Sequence, residues 1–112
     1  MLRHYSTQVK QVTDAVLHSP GVTETRLRQV IEAFSAMCGG RTLGSSGEVP
    51  FALRTYVEKV ASCAYKTTDA DIQALRQAGY SEDTIFEITM SAALGAGLAR
   101  LERGLAALNG GE

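Results

Sequence analysis

The chain has 112 residues, of which 45% are hydrophobic and 21% charged, and its formal net charge is −1. This length is typical of one domain, which can bury one core without help from disulfides or metals. The balance of 11 Lys and Arg against 12 Asp and Glu gives no electrostatic reason to expect nucleic acid or an anionic membrane as a partner. Because no membrane span and no signal peptide is recognisable, we expect a cytoplasmic protein without membrane association.

The first forty residues predict two helices. Valines recur at helical spacing over residues 9–16, and Ser19-Pro20-Gly21 ends this first helix. Thr23 is expected to cap the second helix, which ends at Gly39-Gly40. Residues 39–48 are rich in glycine but lack the Lys-Ser/Thr ending of a phosphate loop, so they predict a linker.

Two further helices are predicted after this linker. Pro50 fits the first turn of a third helix. The buried face of that helix is predicted to consist of Leu53, Tyr56, Val57, Val60 and Ala64. Thr68 and Asp71 have the spacing of a capping box, with Asp in place of the preferred Glu or Gln. They predict the start of a fourth helix, which ends at Gly79.

Ser81-Glu82-Asp83 predicts the start of a fifth and longest helix, which carries no charge over residues 88–99. We expect this part to be buried on most sides, and a small five-helix monomer can hardly achieve that, which predicts a homo-oligomer. Glycine within a helix costs about 1 kcal/mol relative to alanine, so Gly95 and Gly97 suggest that another backbone comes close. No segment alternates long enough to predict a strand. The sequence therefore predicts one all-α domain over residues 1–112, a bundle of about five to six helices.

Five pieces of the second half occur in an order that is typical of one protein family. They are Pro50 with Arg54, Cys63-Ala64-Tyr65, Ala78-Gly79, Ser81 to Ile85, and the small-residue stretch from Ser91 to Leu101. Over residues 49–108 the chain thereby resembles the carboxymuconolactone decarboxylase family, in particular its alkylhydroperoxidase-D-like branch. The resemblance implies an alkylhydroperoxidase-D-like helical homo-oligomer, with residues 1–40 as further N-terminal helices.

The resemblance also implies where thiol chemistry would lie, and there the chain departs from the family. The first cysteine of the family's Cys-x-x-Cys motif corresponds to Cys63, but the second falls on Lys66. The family's histidine falls on Ala70 or Asp71, and its glutamate falls on Thr55. Active members reduce peroxides or relay reducing equivalents through the cysteine pair, whereas decarboxylase members open and decarboxylate a lactone. The resemblance thus implies a degenerate member without dithiol peroxidase activity.

Cys63 and Lys66 are the candidate catalytic residues that remain. The Lys66 cation favours a thiolate at Cys63, whereas the end of the third helix disfavours it. The helical phase of Cys63 places it near Tyr56 and Val60, which favours a small core residue. The alternative is a lone reactive thiol with a peroxidatic or sensing role.

Other interpretations stay open on the same residues. Cys38 ends another apolar stripe and would form a disulfide with Cys63 only if their Cα atoms lie within about 7 Å. Asp69 or Asp71 would serve a decarboxylase-like acid–base site, although both are explained more simply by the start of a helix. Tyr65 is predicted to pack with its hydroxyl bonded. No cofactor and no metal site is predicted, and a small molecule is a candidate ligand.

Overall fold

The computed structural model describes residues 2–40 and 48–108, with side chains described from residue 6 onward. It contains the helices α1 (Leu2–Leu17), α2 (Thr25–Cys38), α3 (Phe51–Cys63), α4 (Asp69–Gln77) and α5 (Glu82–Leu108), and one 3₁₀ turn, Ala64–Lys66. None of the described residues lies in a strand, so the predicted all-α fold with five to six helices is confirmed. The predicted linker falls mainly on residues 41–47, which lie outside the described residues.

Helix α5 is the centre of the structure, because it contacts each of the other four helices. Its most extensive contact is with α2, and the main core lies where α2, α3 and α5 meet. Four aliphatic side chains are fully buried there: Ile31, Leu53, Val57 and Ile88. Burial of one such aliphatic side chain contributes about 1.5–3 kcal/mol, so this cluster dominates the stability of the fold.

The backbones of α2 and α5 come close together at small residues. A Cβ atom at Gly95 would overlap the carbonyl oxygen of Glu32, and one at Gly39 would lie 2.8 Å from the carbonyl oxygen of Ala96. The hydroxyl of Ser35 donates to the carbonyl of Ala92 across the same contact. The close approach predicted at Gly95 is therefore confirmed, and the approaching backbone is that of α2 in the same chain.

Both ends of α4 follow the local signals in the sequence. The amide of Thr68 donates to the Asp71 carboxylate at 2.8 Å, which confirms the predicted capping box. At the other end Gly79 has a φ of 104°, a left-handed conformation that favours glycine. The amide of Tyr80 reaches back to the carbonyl of Leu75 at 3.1 Å, as in a Schellman motif. These contacts fix α4 between α3 and α5.

The end of α3 differs from the prediction. Cys63 leaves the helix with φ −146° and ψ 52°, so the helical phase of α3 does not continue beyond it. Ala64 is exposed for this reason, and Ala61 takes the buried position instead. The prediction that Tyr65 packs is also wrong, because 84% of that residue is exposed.

Over residues 88–99 helix α5 is buried or half-buried on most sides, and Met90, Ala93 and Gly97 are the exposed positions. Its buried residues share one face and are Ile85, Ile88, Ser91, Ala92, Gly95, Ala96 and Ala99. The opposite face is apolar and open to solvent, with Phe86 exposed to 64%, Met90 to 42% and Leu108 to 79%. The predicted burial over residues 88–99 is therefore confirmed except along one exposed apolar stripe, which the absence of charge does not reveal.

Candidate functional site

The sequence-predicted site residues Cys63 and Lys66 lie at the end of α3 and in the turn that follows. Cys63 is half-buried, while Lys66 is exposed and its ammonium lies 5.7 Å from the centroid of the Tyr65 ring. This is a cation–π distance, which gives the Lys66 charge a local partner. Cys38 and Cys63 are both free thiols, so the disulfide considered above is not formed.

Asp71, which follows this turn, holds α4 against α3. Both carboxylate oxygens of Asp71 accept hydrogen bonds from the ammonium of Lys59, at 3.0 and 3.1 Å. The bond from Lys59, followed by the one from the amide of Thr68, holds the pKa of the Asp71 carboxyl below its ordinary value. A carboxylate with a lowered pKa is a weak base, so Asp71 is poorly suited to the acid–base site considered above.

Cys38, the last residue of α2, is exposed, and it lies near the charges of Glu58 on α3 and Arg100 on α5, which the sequence did not indicate. Partial desolvation and the charge of Glu58 raise the pKa of the Cys38 thiol, and a backbone hydrogen bond and the charge of Arg100 only partly offset this. The Arg100 guanidinium also donates to the carbonyl of Ala61 at 2.6 Å. Because the thiolate is the nucleophile, a raised pKa makes Cys38 a slow one at neutral pH.

A shallow cavity of about 210 Å³ lies between α1 and α5. It is lined by Ala15, Val16, Pro20, Arg28, Phe86, Glu87 and Met90. Pockets for small-molecule ligands usually measure about 300–1,000 Å³, so this cavity is small for one. Neither Cys63 nor Lys66 lines it, which separates it from the thiol region.

The guanidinium of Arg28 ties the end of α1 to the start of α2. It is buried to 4% exposure and donates to the carbonyls of Val16 at 2.7 Å, Ser19 at 2.6 Å and Thr23 at 3.1 Å. These carbonyls would otherwise lack donors, because they lie beyond the regular helical hydrogen bonds. Arg28 therefore fixes the turn between the two helices.

Glu87 holds the same turn from the side of α5. Its carboxylate accepts the amides of Val22 at 2.9 Å and Thr23 at 2.7 Å, and lies 3.9 Å from the guanidinium of Arg28. Burial alone would raise the pKa of Glu87, but the hydrogen bonds from Val22 and Thr23 and the charge of Arg28 together hold it below its ordinary value. The predicted cap at Thr23 is corrected here: the N-cap of α2 is Glu24, and the Thr23 amide serves Glu87 instead.

We expect Glu87→Gln to lower the free energy of unfolding by about 1–2 kcal/mol, because one strong acceptor of two amides becomes a weaker one. Since folding lowers the pKa of Glu87, its contribution is complete above the ordinary carboxyl pKa of about 4.3 and is lost as the pH falls through the folded value. Urea unfolding of wild type and variant between pH 3 and pH 7 measures both effects.

The matched control is Glu82→Gln on the same helix. Glu82 forms an exposed ion pair with Arg76 at 3.2 Å, and such pairs contribute about 0–1 kcal/mol. Equal losses from the two variants, or a loss at Glu87 that does not change with pH, would contradict the assignment of Glu87 to the turn.

The described part of the chain holds neither a metal-binding cluster nor a membrane-spanning helix. No group of three or more His, Cys, Asp and Glu side chains there is placed to hold a metal ion. No described helix combines the length and the apolar character needed to cross a membrane.

Family models, curated proteins and solved structures were all compared with this chain, and none matches it. The resemblance to the alkylhydroperoxidase-D-like branch therefore rests on the sequence motifs alone, without support from a matching family model, protein or structure.

Proposed function

We propose that this chain is a degenerate relative of the carboxymuconolactone decarboxylase family, from its alkylhydroperoxidase-D-like branch. In this proposal it is a cytoplasmic homo-oligomer that keeps the helical scaffold and has lost the dithiol chemistry. Its role is that of an assembling or regulatory protein, which acts by presenting surfaces rather than by turning over a substrate.

The arrangement of residues 63–71 carries the proposal. In an active family member this region would hold the second thiol and a histidine, whereas here each position has a structural use. Lys66 lies over the ring of Tyr65, and Asp71 is shared between the cap of α4 and the ammonium of Lys59. Lys66 and Asp71 therefore each have a partner other than the Cys63 thiol.

A second candidate function is favoured by one observation, the partial exposure of Cys63. As a lone peroxidatic thiol, the Cys63 thiolate would attack a peroxide oxygen, giving a sulfenic acid and releasing an alcohol or water. A low-molecular-weight thiol would then have to reduce the sulfenic acid in two steps, since Cys38 forms no bond with Cys63. An acid–base site at Asp71 has no comparable support, because the pKa of Asp71 is lowered.

Thiol labelling of the native protein separates the two candidates. We expect Cys63, measured in the Cys38→Ser variant, to react with a disulfide probe at no more than the rate of a small free thiol at pH 7. Cys38, measured in Cys63→Ser, should react more slowly than the small free thiol at pH 7, and its rate should rise with pH, because partial desolvation and the charge of Glu58 raise the pKa of its thiol. A Cys63 rate tenfold or more above that of the free thiol would favour the lone-thiol enzyme.

A further inference from the structure

Two glycines of α5 have no steric use within the described chain. A Cβ atom at Gly97 or Gly104 would meet no described neighbour within 4 Å, in contrast to Gly95, whose Cβ would overlap α2. Each glycine inside a helix costs about 1 kcal/mol relative to alanine. Gly97 and Gly104 therefore weaken the longest helix of the fold without improving any contact that the described chain makes.

Both glycines lie on the uncovered face of α5, which we call the α5 stripe. Its members are Phe86, Met90, Ala93, Gly97, Leu101, Gly104 and Leu108, of which Leu101 is half-buried and the others are exposed. Successive members are 4, 3, 4, 4, 3 and 4 residues apart, so the spacing reads the same in both directions from Gly97. No member of the stripe is charged.

This symmetry has a direct consequence for two antiparallel copies of α5 that cross at Gly97. The side chains that face each other are then complementary in size. Met90 of one copy meets Gly104 of the other, and Ala93 meets Leu101. Phe86 meets Leu108 at each end, and the two Gly97 residues let the backbones approach at the centre. A twofold interface needs a self-complementary surface of this kind, in which each contact occurs twice.

We infer that the α5 stripe is the interface for a second copy of this chain, packed antiparallel about a twofold axis at Gly97. The inference deepens the oligomeric part of the proposed function and rests on it. The occupant is a second copy, since the match is between the stripe and its own reverse.

The size of the stripe sets the strength of the dimer. Phe86 to Leu108 spans about 33 Å, and a strip roughly 10 Å wide covers roughly 700 Å² for two copies. Stable interfaces usually bury about 1,200–2,000 Å². Ala15 and Val16 of α1, which line the cavity beside Phe86, would enlarge the contact towards that range. An interface at or below the low end of this range is typical of weak, transient contacts, so we expect a weak dimer.

Sedimentation velocity of the full chain from 2 to 400 µM tests the interface. Wild type should shift from monomer to dimer, and Gly97→Leu should raise the dissociation constant at least tenfold, because two leucines would collide at the axis. Ala74→Leu, an equally exposed change on α4, should leave it unchanged. Far-UV circular dichroism checks that both variants stay helical.

Disulfide trapping tests the position of the axis. In a Cys38→Ser, Cys63→Ser background treated with diamide, Gly97→Cys should give a linked dimer, because a residue on the axis faces its own copy. Gly104→Cys should link at least tenfold less, since it faces Met90.

Three results would overturn the inference. An oligomer that Gly97→Leu does not weaken, or preferential linking through position 104, would exclude this interface while leaving the proposed oligomer standing. A strict monomer at 400 µM would exclude both, and would leave the α5 stripe to a different partner.

Discussion

Gly95→Ala is expected to lower the free energy of unfolding by about 3 kcal/mol, the upper end of the typical cost of overpacking. The added Cβ would meet the carbonyl group of Glu32 and the amide nitrogen of Ala36, which are backbone atoms of α2 and cannot rotate away. Relief requires α2 and α5 to separate, and this would loosen the most extensive helix contact of the fold. For a chain of this size the midpoint of thermal unfolding should fall by roughly 10–20 °C.

Gly97→Ala, two residues along the same helix, is the control for this prediction. Its Cβ meets no described neighbour within 4 Å, so it should stabilise the monomer by up to about 1 kcal/mol through helix propensity. Urea unfolding at about 2 µM, where we expect the monomer, measures the free energy of unfolding of wild type, Gly95→Ala and Gly97→Ala. If Gly95→Ala and Gly97→Ala have the same free energy of unfolding, the close contact of α2 with α5 is contradicted.

Arg28→Met is expected to lower the free energy of unfolding by about 3–5 kcal/mol, as is typical when one member of a buried polar network is removed. The carbonyls of Val16, Ser19 and Thr23 would lose their donor, and Glu87 would lose its nearby cation. Methionine fills a similar volume, so the loss reports the hydrogen bonds rather than a cavity. The turn between α1 and α2 should become the least protected part of the described chain in amide hydrogen exchange.

Two variants control for this effect. Arg26→Met changes an exposed arginine on the same helix and should alter the stability by no more than about 0.5 kcal/mol. Arg28→Lys should lose about half as much as Arg28→Met, because an ammonium cannot span three carbonyls as a planar guanidinium does. If Arg28→Met unfolds at the same urea concentration as Arg26→Met, Arg28 does not hold the turn.

The elements that the sequence predicted well are those set by neighbouring residues. The capping box at Thr68 and Asp71, the left-handed Gly79 and the helix start after Tyr80 each depend on contacts within about five positions. The close approach at Gly95 was predicted from the cost of glycine in a helix, but the same reasoning predicted one at Gly97, where a Cβ would meet no described atom within 4 Å. The sequence could not predict that the neighbour of Gly95 is α2, since the residues around Gly95 do not determine which helix packs against it.

The features that were missed depend on residues far apart in the chain. Arg28 and Glu87 meet across 59 positions, and Cys38 meets Glu58 and Arg100 only once three helices have packed. The end of α3 was misjudged because its apolar pattern continues through Ala64, although the backbone leaves the helix at Cys63. Pattern alone gives the phase of a helix but does not fix the residue at which it stops.

Peroxide consumption by the wild-type chain tests most directly the claim that the dithiol chemistry is lost. The measurement follows hydrogen peroxide and an organic hydroperoxide with excess dithiothreitol at pH 7, beside the Cys38→Ser, Cys63→Ser double variant as a protein without thiols. We predict the same rate for both proteins, with no saturation in peroxide. A saturable wild-type rate that disappears with Cys63→Ser alone would contradict the account and identify a lone-thiol peroxidase.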